Sequence, residues 1–179
     1  MKDFGGQVLF LDRSDINTDE IIPAKYLVEI QKEAMKPHLL EDLKLEGFAP
    51  TSERFKNAKV LVTRSNFGCG SSREHAVWAL ETNDITAVVA VSYSRIFRQN
   101  VYNCGMLAID LPEEEIERIF ALQASDAEAV IECQIDIAKR ELQFVSPQGK
   151  KESISFELGE FDSALIESGG WVEYADANY

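Results

Sequence analysis

Ser71, Ser72, Arg73 and His75 stand almost side by side at the end of a glycine-rich turn, in the run NFGCGSSREHA from Asn66 to Ala76. Two hydroxyls, a permanent cation and an imidazole packed this closely can hold an anion and move a proton. Arginine offers a planar fork matched to a carboxylate or a phosphate. The free amides of a helix start, with the helix dipole behind them, also favour negative charge. Ser71 with Glu74 three residues later fits a capping box, which predicts a helix from about Ser71 to Thr82. Gly68 and Gly70 allow the sharp turn before it. Read locally, the stretch fits a simple helix cap as well as it fits an anion site. Other loops fit less well. Arg73 takes the place of the third glycine of a dinucleotide fingerprint, and no Gly-Lys-Ser/Thr completes a nucleotide phosphate loop. No Gly-x-Ser-x-Gly elbow supports a hydrolase serine.

Positioning this turn requires a sheet. VLVT at 60–63 reads as a buried strand leading into it, and VLFL at 8–11 as an earlier strand. ITAVVAVS at 85–92 is almost continuously apolar, as in a strand covered on both faces. SRIFRQNVYNCG follows as a helix capped near Gly105, then MLAIDL at 106–111 as another strand. Pro112 opens an acidic helix, EEEIERIFALQ. Alternating strands and helices predict a parallel sheet in the middle of the chain. From 128 to 158 the runs AVIEC, IDIA, ELQFV and SISFE predict an antiparallel β segment of short strands. A helix near 161–168, a Gly169-Gly170 break and an exposed tail complete the chain. The charged segment 28–57, interrupted by Pro37, reads as an excursion from the core and a mobile loop. His38 beside Pro37 reads as exposed or partly packed, with no second histidine nearby to make a metal pair. No repeat or low-complexity linker divides the 179 residues, so 1–179 is expected to be one α/β domain.

Eighteen basic residues against 31 acidic ones give a net charge of −13, which argues against nucleic acid or an anionic membrane as partner. An anionic substrate would therefore need a locally positive site. MKDFGGQ has no signal-peptide core and no stretch approaches a membrane span, so a cytoplasmic location is expected. Cys69, Cys104 and Cys133 are far apart and form no metal or iron–sulfur spacing. Cys104 and Cys133 read as small buried hydrophobes, while Cys69 lies in the glycine loop.

NTDEIIPA at 17–24, NFGCGSSREHA at 66–76 and SYSRIFRQN at 92–100, in this order, resemble the family of 3-isopropylmalate dehydratase small subunits. That family is the detached swivelling domain of the aconitase superfamily. The resemblance covers the chain through Leu111 and implies a three-layer β/β/α fold with a mixed sheet. It implies a hydro-lyase that interconverts 2-isopropylmalate and 3-isopropylmalate by dehydration and rehydration in leucine biosynthesis. It also implies a large partner subunit, in a heterodimer or heterotetramer, carrying a 4Fe–4S cluster whose open iron takes the leaving hydroxyl. No cofactor is expected on this chain. By resemblance Ser71 is the catalytic serine, Ser72 contacts substrate, Arg73 holds a substrate carboxylate and Asp19 is the active-site aspartate. His75 belongs to the motif either as a substrate contact or as a packed residue orienting the loop; both readings stand.

The implied chemistry suits these residues. The proton removed lies α to a carboxylate and is weakly acidic, so a serine alkoxide is a suitable base if its charge is stabilised. A helix N-terminus and Arg73 are the available means. In the superfamily the loop after the first motif reads the variable group of the substrate, with an arginine where that group is a carboxylate. Here it reads Tyr26-Leu27-Val28-Glu29-Ile30. Apolar Val28 and the absence of arginine predict an alkyl group. Homoaconitase, citramalate dehydratase and dimethylmalate dehydratase are the related alternatives. An RNA-binding protein on the same scaffold is opposed by the charge and the intact GSSRE run. A Ser71–His75 hydrolase is opposed by the missing elbow.

Overall fold

The apolar runs pair into a single sheet. β1 (Gly5–Phe10), β2 (Ala58–Val62), β3 (Ala87–Ala90) and β4 (Leu107–Asp110) lie parallel, each beside the next. β5 (Glu132–Asp136) adds antiparallel to the free edge of β1, and β6 (Glu141–Val145) and β7 (Lys151–Ser155) extend it as a meander. The order is β4-β3-β2-β1-β5-β6-β7. This is the expected mixed α/β fold with a C-terminal antiparallel β segment. The structure is a computed structural model and describes residues 1–124 and 126–179.

Burial follows the pattern of each run. All four residues of β3 are buried, as in a strand covered on both faces. β6 buries Leu142 and Phe144 alternately, as in a strand with one face towards solvent. Helices α3 (His75–Thr82), α4 (Arg95–Asn103) and α5 (Glu113–Ala124) turn Ala76, Val77, Leu80, Phe97, Val101, Ile116 and Ile119 inward. Two expectations change at the C-terminus. AVIEC and IDIA do not form separate strands, because only Gln134 divides them and β5 runs straight across that join. The expected tail is instead a helix, α7 (Trp171–Asn178), entered through Gly169 and Gly170 after α6 (Glu160–Ser168). No residue of α7 is fully buried, so its sequence shows no inward stripe.

The 28–57 segment is short of regular structure but not of contacts. Lys32–His38 is a 3-10 helix, in which Pro37 lacks the donor an α-helix would need. Met35, Leu39, Leu40 and Leu43 are buried. Leu40 takes a left-handed conformation (φ 58°), and its amide donates to the carbonyl of Ile21 at 2.8 Å. Near the end of the segment lies the short helix α2 (Glu53–Lys56).

Lys2 and Lys32 each donate to Glu81 of α3 at 2.9 Å, clasping the N-terminus and this segment to one helix. Burial pushes the Glu81 carboxyl up, but the two ammonium groups outweigh it and hold it below its ordinary value of 4.5. A carboxylate with a lowered folded-state pKa adds stability above its unfolded value and loses it as the pH falls. Acid unfolding should therefore weaken in Glu81→Gln. Its melting temperature, lower than wild type at neutral pH, is expected to converge on wild type below about pH 4. Parallel curves through that range would show that the clasp contributes nothing.

Candidate active site

The three motifs follow β1, β2 and β3 and gather at the carboxyl ends of these parallel strands, where open α/β sheets bind ligands. Backbone hydrogen bonds join them. The amide of Thr18 donates to Cys69 O at 2.8 Å, and that of Gly68 to Ile16 O at 2.9 Å. The amide of Phe67 donates to Ser92 O at 3.1 Å, and that of Ser94 to Phe67 O at 3.0 Å. Asn66 and Asp15, both in the left-handed region, face each other through an Asn66 Nδ2–Asp15 Oδ1 bond of 2.9 Å. Phe97 of the third motif packs edge-on against Phe67 at 5.3 Å and lies against Gly68. The middle motif is thus threaded between the other two.

The first motif is held by a capping box that the sequence did not single out. Asn17 Oδ1 accepts from the Glu20 amide at 2.9 Å, and the Glu20 carboxylate accepts from the Asn17 amide at 3.0 Å, opening α1 (Thr18–Ile21). Arg13 pairs with Glu20 as well. Burial raises the Glu20 carboxyl, but these contacts prevail and leave it below the usual range.

The same box predicted at Ser71 and Glu74 is absent. α3 begins at His75, Glu74 is its N-cap residue, and no side chain caps it. Gly68 and Gly70 both take positive φ, and the chain stays bent or extended through Arg73 before the helix can start. The expected helix from Ser71 is therefore corrected to one from His75, and Ser71 lies outside its first turn. Ser71 Oγ instead sits 3.1 Å from Thr18 Oγ1, across the junction of the first two motifs. Thr18 is buried, and nothing in its local sequence marks it, because its partner is distant in the chain.

Ser71, Ser72 and Arg73 are exposed, as is Asp19, which follows Thr18 directly. Arg73 makes no ion pair among the described residues, and its amide donates to Ser71 O at 3.1 Å. The guanidinium is free to meet an anion arriving from solvent. His75 is half-buried against Trp78, with ring centroids 4.8 Å apart, and its Nε2 donates to the backbone carbonyl of Glu29 at 3.0 Å. This bond ties the loop holding Val28 to the middle motif, the orienting geometry of the two readings of His75. Val28 and Ile30 project into solvent at 81% and 90% exposure. The loop base is fixed: Tyr26 stacks on His38 at 3.7 Å and donates to Glu41 at 2.7 Å.

Among the described residues no group of three His, Cys, Asp or Glu side chains can hold a metal ion. Burial pushes the Cys104 thiol up to about 12 and the Cys133 thiol higher still. Burial, together with the carboxylates of Asp15 and Glu20, also raises Cys69. None of the three is primed as a thiolate ligand or nucleophile. Among the described residues, the three cysteines and the histidines form no group that fits an iron–sulfur cluster. No helix among the described residues is long and apolar enough to cross a membrane. A cleft of about 530 Å³ lined by Phe10, Phe48, Arg64 and Phe120 lies away from the three motifs.

Comparison with known proteins agrees with the motifs. The aconitase C-terminal domain family matches residues 5–114. The 3-isopropylmalate dehydratase small subunit of Leptospira interrogans is 39% identical over 140 residues, covering 73% of this chain and 68% of that one. The small subunit of the same name from Neisseria meningitidis serogroup C is 34% identical, covering 93% and 85%. The crystal structure of 3-isopropylmalate dehydratase from Methanocaldococcus jannaschii superposes with a TM-score of 0.71 at 28% identity, covering 97% of this chain and 93% of that chain. The chain belongs to the aconitase C-terminal domain family and, within it, to the group of 3-isopropylmalate dehydratase small subunits.

Proposed function

We propose that this chain is the small subunit of a cytoplasmic 3-isopropylmalate dehydratase, a hydro-lyase of leucine biosynthesis, with residues 1–179 acting as one swivel-type domain. The observation that carries the reading is the Ser71 hydroxyl, 3.1 Å from the Thr18 hydroxyl at the motif junction, with exposed Arg73 following Ser71 and exposed Asp19 following Thr18 in the chain. Arg73 binds a substrate carboxylate, and Ser72 adds a hydroxyl to the same rim. Asp19 is the acidic partner on the facing motif, and His75 sets the Val28 loop. In dehydration, Ser71, having lost its own proton to solvent, takes as an alkoxide the proton from the carbon α to one carboxylate. The C–H electron pair becomes the new double bond as hydroxide leaves the neighbouring carbon. In rehydration, Ser71 returns the proton to the carbon that lost the hydroxyl, and water's oxygen goes to the other. A 4Fe–4S cluster held by a large partner subunit would supply Lewis-acid chemistry for loss and return of the hydroxyl. The isolated chain is expected to be inactive without that partner.

Val28 and the absence of arginine in its loop favour an alkyl substituent over a third carboxylate. The assembled enzyme is expected to give its highest kcat/KM with isopropylmalate among isopropylmalate, citramalate, dimethylmalate and homoaconitate. A preference for one of the others would move the assignment to that acid. Val28→Arg places a cation at a position 81% exposed, where it costs little stability. It is expected to raise the homoaconitate-to-isopropylmalate ratio of kcat/KM at least tenfold, the effect of about 1.4 kcal/mol. An unchanged ratio would remove the loop from substrate choice.

A further inference from the structure

We propose that Thr18 is a positioning residue for the reaction, its hydroxyl donating to Ser71 Oγ and stabilising the alkoxide that Ser71 becomes. This deepens the reading above and rests on Ser71 being the base. An alkoxide needs a donor aimed at it, and the helix N-terminus is out of place. α3 starts at His75 with an uncapped Glu74 before it, so Ser71 lies outside its first turn. Arg73 is exposed and, in the reading above, is engaged by the substrate carboxylate. Thr18 Oγ1 is the side-chain group within hydrogen-bond distance of Ser71 Oγ, at 3.1 Å.

Its proton has one destination. Thr18 is 4% exposed, and its hydroxyl has no other partner among the described residues. Were Ser71 the donor, the buried Thr18 proton would be left without an acceptor. The catalytic cycle asks for the same direction. In rehydration Ser71 must aim its own proton at the substrate carbon, so it cannot spend that proton on Thr18. With Thr18 donating, Ser71 keeps a free direction towards substrate in both protonation states. The contact is between neutral groups in the resting enzyme, and such bonds shorten and strengthen when the acceptor becomes charged.

The backbone holds Thr18 for this task. Its amide donates to Cys69 O at 2.8 Å, and its carbonyl accepts from Ile22 at 2.9 Å. The Asn17–Glu20 box and the Arg13 pair fix the turn around it. Thr18 is thus clamped to the same loop that carries Ser71.

The test compares Thr18→Val, which removes the hydroxyl, with Thr18→Ser, which keeps it, each in the complex with the cluster-loaded large subunit. Loss of one preorganised donor typically lowers kcat about 10²-fold. Thr18→Val is expected to show that loss with KM within about threefold of wild type. Its kcat–pH profile should keep rising at pH values where the wild type has levelled, because the serine has become harder to ionise. Thr18→Ser is expected to recover both the rate and the profile. A purely packing role would lower the folded or assembled fraction without moving the profile, and Ser would not rescue it. If Thr18→Val fails to assemble, Thr18→Ala carries the same comparison. The proposal is overturned by a Thr18→Val enzyme with wild-type kcat and profile, or by a Thr18→Ser enzyme as slow as Thr18→Val. Ser71→Ala separates the two claims. Activity in that variant removes the base itself, whereas a dead Ser71→Ala beside a fully active Thr18→Val removes only the role of Thr18.

Discussion

Ser71→Ala in the assembled enzyme is expected to lower kcat by about three orders of magnitude while KM stays within a few-fold of wild type. General-base catalysis contributes about 10² to 10⁴ in rate, and the expected loss lies in the middle of that range. In the proposed function Arg73 binds the substrate carboxylate, so binding is expected to survive and the deficit to fall on kcat. Arg73→Lys should behave differently. A point charge replaces the planar fork, and the loss should include a raised KM. Ser71 is exposed, so its truncation removes no packing; it leaves the buried Thr18 hydroxyl unpaired, at a cost of about 1–3 kcal/mol, below the stability of an ordinary domain. Parallel circular dichroism and gel filtration would exclude unfolding or lost assembly. A Ser71→Ala enzyme within tenfold of wild type would mean that another group removes the proton.

Gly68→Ala is expected to unfold the site from within. Gly68 has φ +77°, where an L side chain is strained by about 1–2 kcal/mol. A Cβ there would also lie 2.2 Å from Phe97 Cγ and 2.6 Å from both Cδ atoms. Phe97 is 2% exposed and packed edge-on against Phe67, so it has little room to retreat. Overpacking of this kind costs about 1–3 kcal/mol more. The total, about 2–5 kcal/mol, is a large part of the stability of an ordinary domain. Urea unfolding of the isolated chain should show a much lower midpoint with an unchanged slope. Gly70→Ala is the control. Its Cβ would meet nothing closer than Asn17 Cβ at 3.5 Å, so it should lose only the backbone strain. Equal midpoints for the two variants would show that the Phe97 contact does not lock the loop.

The parallel strands and the helices that follow them were legible because their burial is one-sided or complete. The four apolar residues of β3 and the helical run that follows it announce themselves locally. The loop from Asn66 to Ala76 was legible as a cluster of candidate residues but not as geometry. Ser71-x-x-Glu74 and Asn17-x-x-Glu20 carry the same spacing, and only the second forms the box. Two positive-φ glycines delay the helix after the first, a tertiary outcome set by where Phe97 and Asn17 sit. Thr18 was illegible for a related reason. A threonine in an Asn-Thr-Asp-Glu turn looks like any turn residue until the fold brings Ser71 to it. α7 was missed because none of its residues is fully buried. His75 gave two readings in sequence, and its bond to the Glu29 carbonyl supports the orienting one.

The division of labour between two chains is the centre of the account. The most direct measurement is turnover of 2-isopropylmalate under anaerobic conditions by this chain, by its cluster-bearing large subunit, and by the two mixed. 3-Isopropylmalate and the unsaturated diacid are expected only in the mixture, with a rate that saturates as this chain is added to a fixed amount of large subunit. Turnover by this chain alone, or none in a mixture whose cluster is intact and whose subunits have assembled, would contradict this division of labour.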